Sequence, residues 1–458
     1  MQKKILFAAT EMTPFIKTGG LADVIGSLPH ELSNKNDFTI SVVMPFYKNI
    51  LNNREQKLIS SFYLNDIDYE VNVYFLRHFN LDVYFIKNNY FFERDYIYGY
   101  DDDAERFNYF CMAILEMLEK IKFKPDVIHV NDWQTSLVSA YLKEKYKLKD
   151  FYKNIKTVLT IHNLQYQGIF SKSFIYKLNL ENFFSNLEFY GNINFLKSGI
   201  IYSDFITTVS EKYATEIQTS EYGFGLDGLL RRRKNDLIGI LNGLNYKKYQ
   251  RNFDTSNIYV KYNYKKELLE KLNLKNFKDN LLISIVSRFA DQKGFDLVYN
   301  SLESILNLDI NLVICGKGDK NIENIFLDAR DKFNQKKNNF RVILTFDEDF
   351  ANKIYISSDV LLMPSRFEPC GLAQIIAMNY GTIPIARDTG GLSDTIKDNF
   401  DGFLFKNYDN SEMINTIKKV IEIYKNKTMW GKIIFNAISN NFSWQKSIDK
   451  YIDVYQNL

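Results

Sequence analysis

Lys17 stands directly before Thr18-Gly19-Gly20-Leu21-Ala22-Asp23, a hexapeptide that returns with one change as Thr389-Gly390-Gly391-Leu392-Ser393-Asp394. Paired glycines let a backbone approach a ligand closely, and a helix opening there offers unpaired N–H groups and a partial positive charge. A cation beside such a terminus is unfavourable unless an anion satisfies both, so Lys17 points to a phosphate or diphosphate. The plainer reading is that the glycines only turn the chain and that Asp23 and Asp394 cap the two helices. Two copies in one chain favour two α/β domains that grip one anionic ligand, with both loops facing a single crevice.

Other groups sit where a strand hands over to a loop. Arg288 and Lys293, five residues apart in Ser287-Arg288-Phe289-Ala290-Asp291-Gln292-Lys293-Gly294, can both reach a diphosphate and stabilise a phosphate leaving group. His162 opens the polar string His162-Asn163-Leu164-Gln165-Tyr166-Gln167-Gly168, and Asp132 lies in Asn131-Asp132-Trp133-Gln134. Both follow apolar runs whose carboxyl ends are where ligands bind in open α/β sheets. The plainer alternatives are a structural histidine and a helix N-cap. Glu368, in Pro364-Ser365-Arg366-Phe367-Glu368-Pro369-Cys370-Gly371-Leu372, can hydrogen-bond sugar hydroxyls or complement a helix dipole. Cys370 reads as a small packing residue, because no Cys–His pair is evident. No zinc-ligand spacing, GxSxG elbow or Walker loop occurs, and Gly316-Lys317-Gly318-Asp319 reads as a strand-end turn.

These groups need elements to carry them. A chain of 458 residues with 46% apolar and 25% charged residues predicts about two globular domains. A net charge of +3, with Arg231-Arg232-Arg233-Lys234 as the only dense basic block, argues against nucleic acid. Three scattered cysteines and no disulfide framework suit a reducing compartment; with no signal peptide and no run of 18 apolar residues, the expectation is a cytoplasmic protein without a membrane span. Strands are predicted over 4–9, 39–44, 71–76, 83–86, 127–130, 157–161 and 205–209, and again over 281–286, 311–315, 341–344, 360–363 and 383–386. Helical patterns fall over 21–33, 106–122, 294–306, 322–333, 351–357, 371–379 and 412–425, with a terminal amphipathic helix over 444–455. The alternation predicts parallel sheets in two Rossmann-like domains, 1–242 and 243–440, with 441–458 packing back on the first. Leu241-Asn242-Gly243-Leu244-Asn245 marks the hinge.

The motifs, in this order along nearly the whole chain, resemble those of the bacterial glycogen synthases and plant starch synthases. The resemblance rests on Lys17-Thr18-Gly19-Gly20-Leu21-Ala22-Asp23-Val24, His162 to Gly168, Leu241-Asn242-Gly243, Ser287-Arg288 with Gln292-Lys293-Gly294, Pro364 to Leu372, and Thr389-Gly390-Gly391-Leu392. It implies a GT-B architecture with the active site between the domains. It also implies transfer of glucose from ADP-glucose to the non-reducing end of an α-1,4-glucan, with retention and without a metal or other cofactor. Carried over, Lys17 and Gly20 contact the donor, and His162 sits beside the transferred glucose. Arg288 and Lys293 hold the diphosphate. Glu368 touches the glucose, in a pocket lined by Cys370, Gly371 and Leu372. Thr389, Gly390 and Gly391 contact phosphate or sugar. Asp132, Asn163, Tyr166, Gln167 and Asn242 complete the substrate-binding set.

Retention ordinarily calls for a carboxylate nucleophile on the face opposite the leaving group, and no residue announces itself in that role. A same-face displacement is therefore expected, with the leaving phosphate taking the proton of the incoming 4-hydroxyl. Four positions depart from the broader patterns. Asn131 and Gln134 stand where the family usually has His in His-Asp-Trp-His, Asn245 replaces an acid at the hinge, and Ile376 stands eight positions after Glu368 where many retaining transferases carry a second glutamate. The synthase family itself lacks that second acid. A transferase using UDP-glucose is the nearest alternative. An inactive glucan-binding scaffold would need no diphosphate clamp.

Overall fold

A computed structural model describes residues 2–50, 56–64, 68–177, 181, 184–253, 257–258, 260–274, 280–335, 337–345 and 347–458. The chain divides into two units. One comprises Met1–Val209, Ala214–Gly243 and Trp444–Leu458; the other comprises Ser210–Tyr213 and Leu244–Ser443.

The first unit is built on β1 (Lys3–Ala8), β2 (Phe38–Pro45), β3 (Lys57–Tyr63), β4 (Glu70–His78), β5 (Leu81–Lys87), β6 (Val127–Asn131), β7 (Lys156–Ile161), β8 (Ile169–Ser171), β9 (Glu188–Phe189), β10 (Asn192–Asn194), β11 (Phe205–Thr208) and β12 (Leu237–Gly239). Nine of these form one sheet in the order β12-β11-β7-β6-β1-β2-β5-β4-β3. From β12 to β5 every neighbouring pair is parallel. Ile5, Leu6, Phe7 and Ala8 are all buried, as a strand covered on both faces requires.

The far edge corrects the expectation of a purely parallel sheet. Strand β4 pairs antiparallel with both β5 and β3. The β4–β5 connection is only Phe79-Asn80, too short for a parallel crossover, and Phe79 takes a left-handed φ of 52° to make the turn. Strand β3 is unexpected because its side chains are mostly exposed and offer no apolar run. A second small sheet, β8-β10-β9, is antiparallel and also unexpected.

The second unit has β13 (Leu281–Val286), β14 (Ile310–Gly316), β15 (Phe340–Leu344), β16 (Val360–Met363), β17 (Ile383–Arg387) and β18 (Phe403–Phe405) in the order β15-β14-β13-β16-β17-β18, all parallel. Asp319, Asp347 and Asp409 accept backbone N–H bonds at the starts of helices Lys320–Asn334, Glu348–Ser357 and Asn410–Lys425. Helices Val260–Lys271 and Lys427–Ser439 were not predicted. The first buries two lysines, so its sequence looks solvated. Lys261 Nζ donates to Ile356 O (2.7 Å) and Thr382 Oγ1 (2.6 Å); Lys265 Nζ donates to Asn280 O and Asp359 Oδ2 (both 2.6 Å). Burial pushes the Lys261 amine down to about 7, with Asp359 opposing and Lys265 reinforcing the shift.

The strand order positions the candidate chemistry. In the first sheet β1 lies between β6 and β2, and in the second β13 lies between β14 and β16. Loops leaving β1 and β6, or β13 and β16, therefore run to opposite sides and open a crevice at the carboxyl edge. The last helix, Gln445–Gln456, belongs to the first unit. The Tyr455 hydroxyl is hydrogen-bonded to His129 Nδ1 (2.6 Å), His129 Nε2 to Thr160 Oγ1 (2.5 Å), and Thr160 Oγ1 to Thr207 Oγ1 (2.6 Å). This buried row crosses β6, β7 and β11, and burial holds the His129 imidazole down at about 3.

Candidate active site

In the first unit the loops after β1, β6 and β7 lie side by side, because their strands are adjacent. The first Gly-Gly loop opens helix Gly20–Ser33, with Gly19 at the N-cap and no side-chain cap. Asp23 does not cap that helix; its carboxylate pairs with Lys17 Nζ at 2.7 Å. Lys17 is therefore already compensated, contrary to the expectation of a cation awaiting an anion. Glu11, which the sequence reading passed over, occupies the loop's first donors. Its Oε2 accepts from Thr18 N (2.5 Å) and Gly19 N (3.0 Å), and its Oε1 accepts from Thr18 Oγ1 (2.7 Å) and Tyr98 OH (2.8 Å). A Cβ built on Gly19 or Gly20 would meet nothing within 4 Å, so this backbone faces open space.

Asp132 follows Asn131 at the end of β6 and adopts a left-handed φ of 54°, rare for a residue with a side chain. That conformation aims its carboxylate at the neighbouring loop, where Oδ1 accepts from His162 N at 2.7 Å. It ties two strand ends together and is not an N-cap. Burial pushes the Asp132 carboxyl up to about 7, opposed by the N–H bonds of His162 and Asn163 and reinforced by nearby Glu11. Burial also lowers His162 to about 3, leaving a neutral imidazole.

Asn131, likewise unassigned from sequence, determines which ring nitrogen of His162 carries the proton. Its Nδ2 donates to Ala8 O (3.1 Å) and His129 O (3.2 Å), so its Oδ1 must be the atom 2.9 Å from His162 Nε2. Nε2 is then protonated and Nδ1 is an acceptor.

The other candidates here divide into exposed and engaged groups. Tyr166 is 48% exposed, while Asn163 Oδ1 accepts from Gln165 N. Gln167 does not reach outward. Its Nε2 donates to Leu164 O and Phe224 O, and its Oε1 accepts from Asn194 Nδ2, so the whole amide holds loops together. Asn242 is buried, and its Oδ1 has no hydrogen-bond partner among the described residues. Gln134 is buried in the core.

In the second unit the loops after β13, β16 and β17 converge. Lys293 Nζ pairs with Glu368 Oε2 at 2.6 Å, with 17% and 6% of the two side chains exposed, and Ser365 Oγ donates to the same oxygen at 3.0 Å. Arg288 is exposed and makes no ion pair with a described residue. The loops are laced together: Gln292 O accepts from Arg366 N, and Gln292 Nε2 donates to Phe367 O. Gly294 has a φ of 73°, and a Cβ there would lie 1.9 Å from Pro364 O.

Gly371 (φ 71°) and Leu372 precede helix Ala373–Asn379, and Cys370 is buried. Thr389, the N-cap of helix Gly390–Thr395, is buried without a side-chain cap bond. Gly391 is packed against the loop after β16. Its N–H donates to Glu368 O (2.9 Å), and an added Cβ would sit 2.1 Å from Cys370 O. Its bareness serves loop packing. Asp394 accepts from Lys212 N at 2.9 Å and so caps a neighbouring segment, not its own helix.

Family models match along the chain: the starch synthase catalytic domain over residues 4–232 and glycosyl transferases group 1 over 266–436. The chain is 43% identical to a glycogen synthase of Desulforamulus reducens, covering 99% of this chain and 98% of the relative. The chain belongs to the glycogen synthase family. Another member, from Thermosipho africanus, is 42% identical over 99% of this chain and 98% of its own. The catalytic domain of starch synthase IV from Arabidopsis thaliana, bound to ADP and acarbose, superposes with a TM-score of 0.91 at 30% identity, covering 100% and 99% of the two chains. This glycogen synthase family member is a glycosyltransferase with the GT-B fold. Among the described residues no helix is long and apolar enough to cross a membrane, and no three His, Cys, Asp or Glu groups are arranged to hold a metal ion.

Proposed function

We propose that this glycosyltransferase moves glucose from ADP-glucose to the non-reducing end of an α-1,4-glucan with retention of configuration, in the cytoplasm and without a metal. The observation that carries this reading is the convergence of Lys293, Glu368 and the Thr389–Gly391 turn on adjacent strand ends, with Arg288 exposed on the same loop as Lys293. An ammonium has three donors, and Lys293 can keep Glu368 while offering another to a diphosphate oxygen. Glu368 is paired with Lys293, bonded by Ser365 and nearly buried, which makes it a poor nucleophile.

The step we favour breaks the bond between the anomeric carbon and the phosphate oxygen while the acceptor 4-hydroxyl oxygen bonds to the same face of that carbon. The hydroxyl proton passes to the departing phosphate, and Arg288 and Lys293 stabilise the charge left on ADP. In the first unit, Lys17, Gly20, Asp132 and neutral His162 are the proposed substrate contacts. His162 offers Nδ1 as an acceptor for a glucose hydroxyl, and supplies no proton at neutral pH.

The test is purified protein with glycogen primer and labelled ADP-glucose or UDP-glucose in parallel. Label should enter glucan from ADP-glucose. Incorporation from neither donor overturns the reading, and preference for UDP-glucose overturns the donor alone.

A further inference from the structure

We infer that Glu11 is a positioning residue for the donor: its carboxylate anchors the Lys17-Thr18-Gly19-Gly20 loop so that the open backbone at Gly20 and the Lys17 ammonium are presented in one geometry. The inference rests on the proposed donor role of that loop, and it assigns the residue that holds it. Glu11 lies just past β1 and is only 4% exposed. Four donors converge on it, two backbone amides and two hydroxyls, shared evenly between its oxygens. A carboxylate accepts at both oxygens, which matches a site made wholly of donors.

The arrangement also divides the anion-binding capacity of the loop. The N–H groups of Thr18 and Gly19 are filled by the protein's own carboxylate. A ligand anion is left the helix end at Gly20, where a Cβ would meet nothing within 4 Å. Glu11 thereby excludes a second anion from the outer loop and concentrates binding at the helix mouth. Tyr98 extends the clamp, since its hydroxyl lies 2.6 Å from Thr10 Oγ1 as well as 2.8 Å from Glu11 Oε1. Tyr98 thus holds the carboxylate at the end of β1, and the carboxylate holds the loop.

The test compares Glu11→Ala, Glu11→Gln and Lys17→Ala by steady-state kinetics, with folded fraction and Tm measured for each. Gln keeps an acceptor oxygen for the two amides, and its NH2 group can donate to the two hydroxyls, which rotate to accept. Glu11→Ala is expected to raise the ADP-glucose KM at least tenfold while the glucan KM changes less than threefold. Glu11→Gln should return the donor KM to within about threefold of the parent. A lower Vmax that tracks folded fraction, with an unchanged donor KM, overturns the inference and leaves Glu11 a structural residue. Equal shifts in donor and glucan KM also overturn it. If Lys17→Ala leaves the donor KM unchanged, the donor reading of the loop fails. If Lys17→Ala raises it and Glu11→Ala does not, the positioning role alone fails.

Discussion

Removing Lys293 should harm the protein twice, and the two effects can be separated. In Lys293→Ala, Glu368 keeps a carboxylate that is 6% exposed with Ser365 Oγ as its remaining side-chain partner at that oxygen. Breaking one side of a buried ion pair costs about 3–5 kcal/mol, because the surviving charge stays desolvated. Adding Glu368→Gln removes that charge while the amide retains the Ser365 contact. The double variant should therefore recover most of the stability, leaving a deficit of about 1 kcal/mol from the lost hydrogen bond. Activity should not recover. One charge-assisted contact to the departing diphosphate is worth about 1.5–3 kcal/mol, or about 10–150-fold in kcat/KM for the donor. Urea unfolding followed by tryptophan fluorescence, to which buried Trp430 contributes from the second unit, reads the first effect. Label incorporation from ADP-glucose reads the second. A double variant that regains activity along with stability would show that Lys293 acts only through Glu368. A single variant as stable as the parent would refute the buried-charge argument.

Three further outcomes follow from the geometry. Asn131→Asp puts a carboxylate where Oδ1 lies 2.9 Å from His162 Nε2, beside Asp132 and His129; the imidazole should rise from about 3 toward the assay range, so the acid side of the pH profile of kcat/KM should gain a second ionisation beside that of Asp132, which already titrates near 7 in the parent. Lys261 titrates near 7 when folded and near 10.5 when unfolded, so between those values the unfolded chain holds the extra proton and stability rises with pH; Lys261→Met should flatten a slope of about 1 kcal/mol per pH unit over that window, read from urea unfolding at pH 7.5, 8.5 and 9.5. Gly391→Ala should lower the unfolding free energy by about 1–3 kcal/mol, because its methyl meets the Cys370 backbone, whereas Gly20→Ala should leave stability unchanged and lose donor affinity, because its methyl enters only ligand space.

The central parallel strands were legible because both faces are covered and their sequences are unbroken apolar runs, as in Ile5 to Ala8. The outer edge was not. In β3 the side chains face water, and in helix Val260–Lys271 two of the buried residues are lysines whose partners, Ile356 O and Asp359, come from distant sequence. Residue types after strands located Asp132, His162, Lys293 and Glu368, yet the ion pair between Lys293 and Glu368 spans 75 positions and no local pattern shows it. Asn131 directly follows a predicted strand, beside Asp132, and Glu11 lies two residues past another. The rule that led to Asp132 would have found both, had every polar residue at a strand end been weighed. Gly391 shows the opposite limit: a ligand-facing glycine and a glycine pressed against Cys370 look identical in sequence.

The row of hydrogen bonds from Tyr455 through His129 to Thr207 has a consequence for synthesis. The second unit's main segment, Leu244–Ser443, is continuous, and all of it emerges from the ribosome before the last helix. The first unit, begun earliest, cannot close the polar gap in its core until the segment that follows the second unit is made. Birth order and completion order are therefore reversed: the amino-terminal sheet waits, with His129 uncovered, for Tyr455, 326 positions further along the chain. A chain stopped at Ser443 should retain a protease-resistant second unit while its first unit is cut.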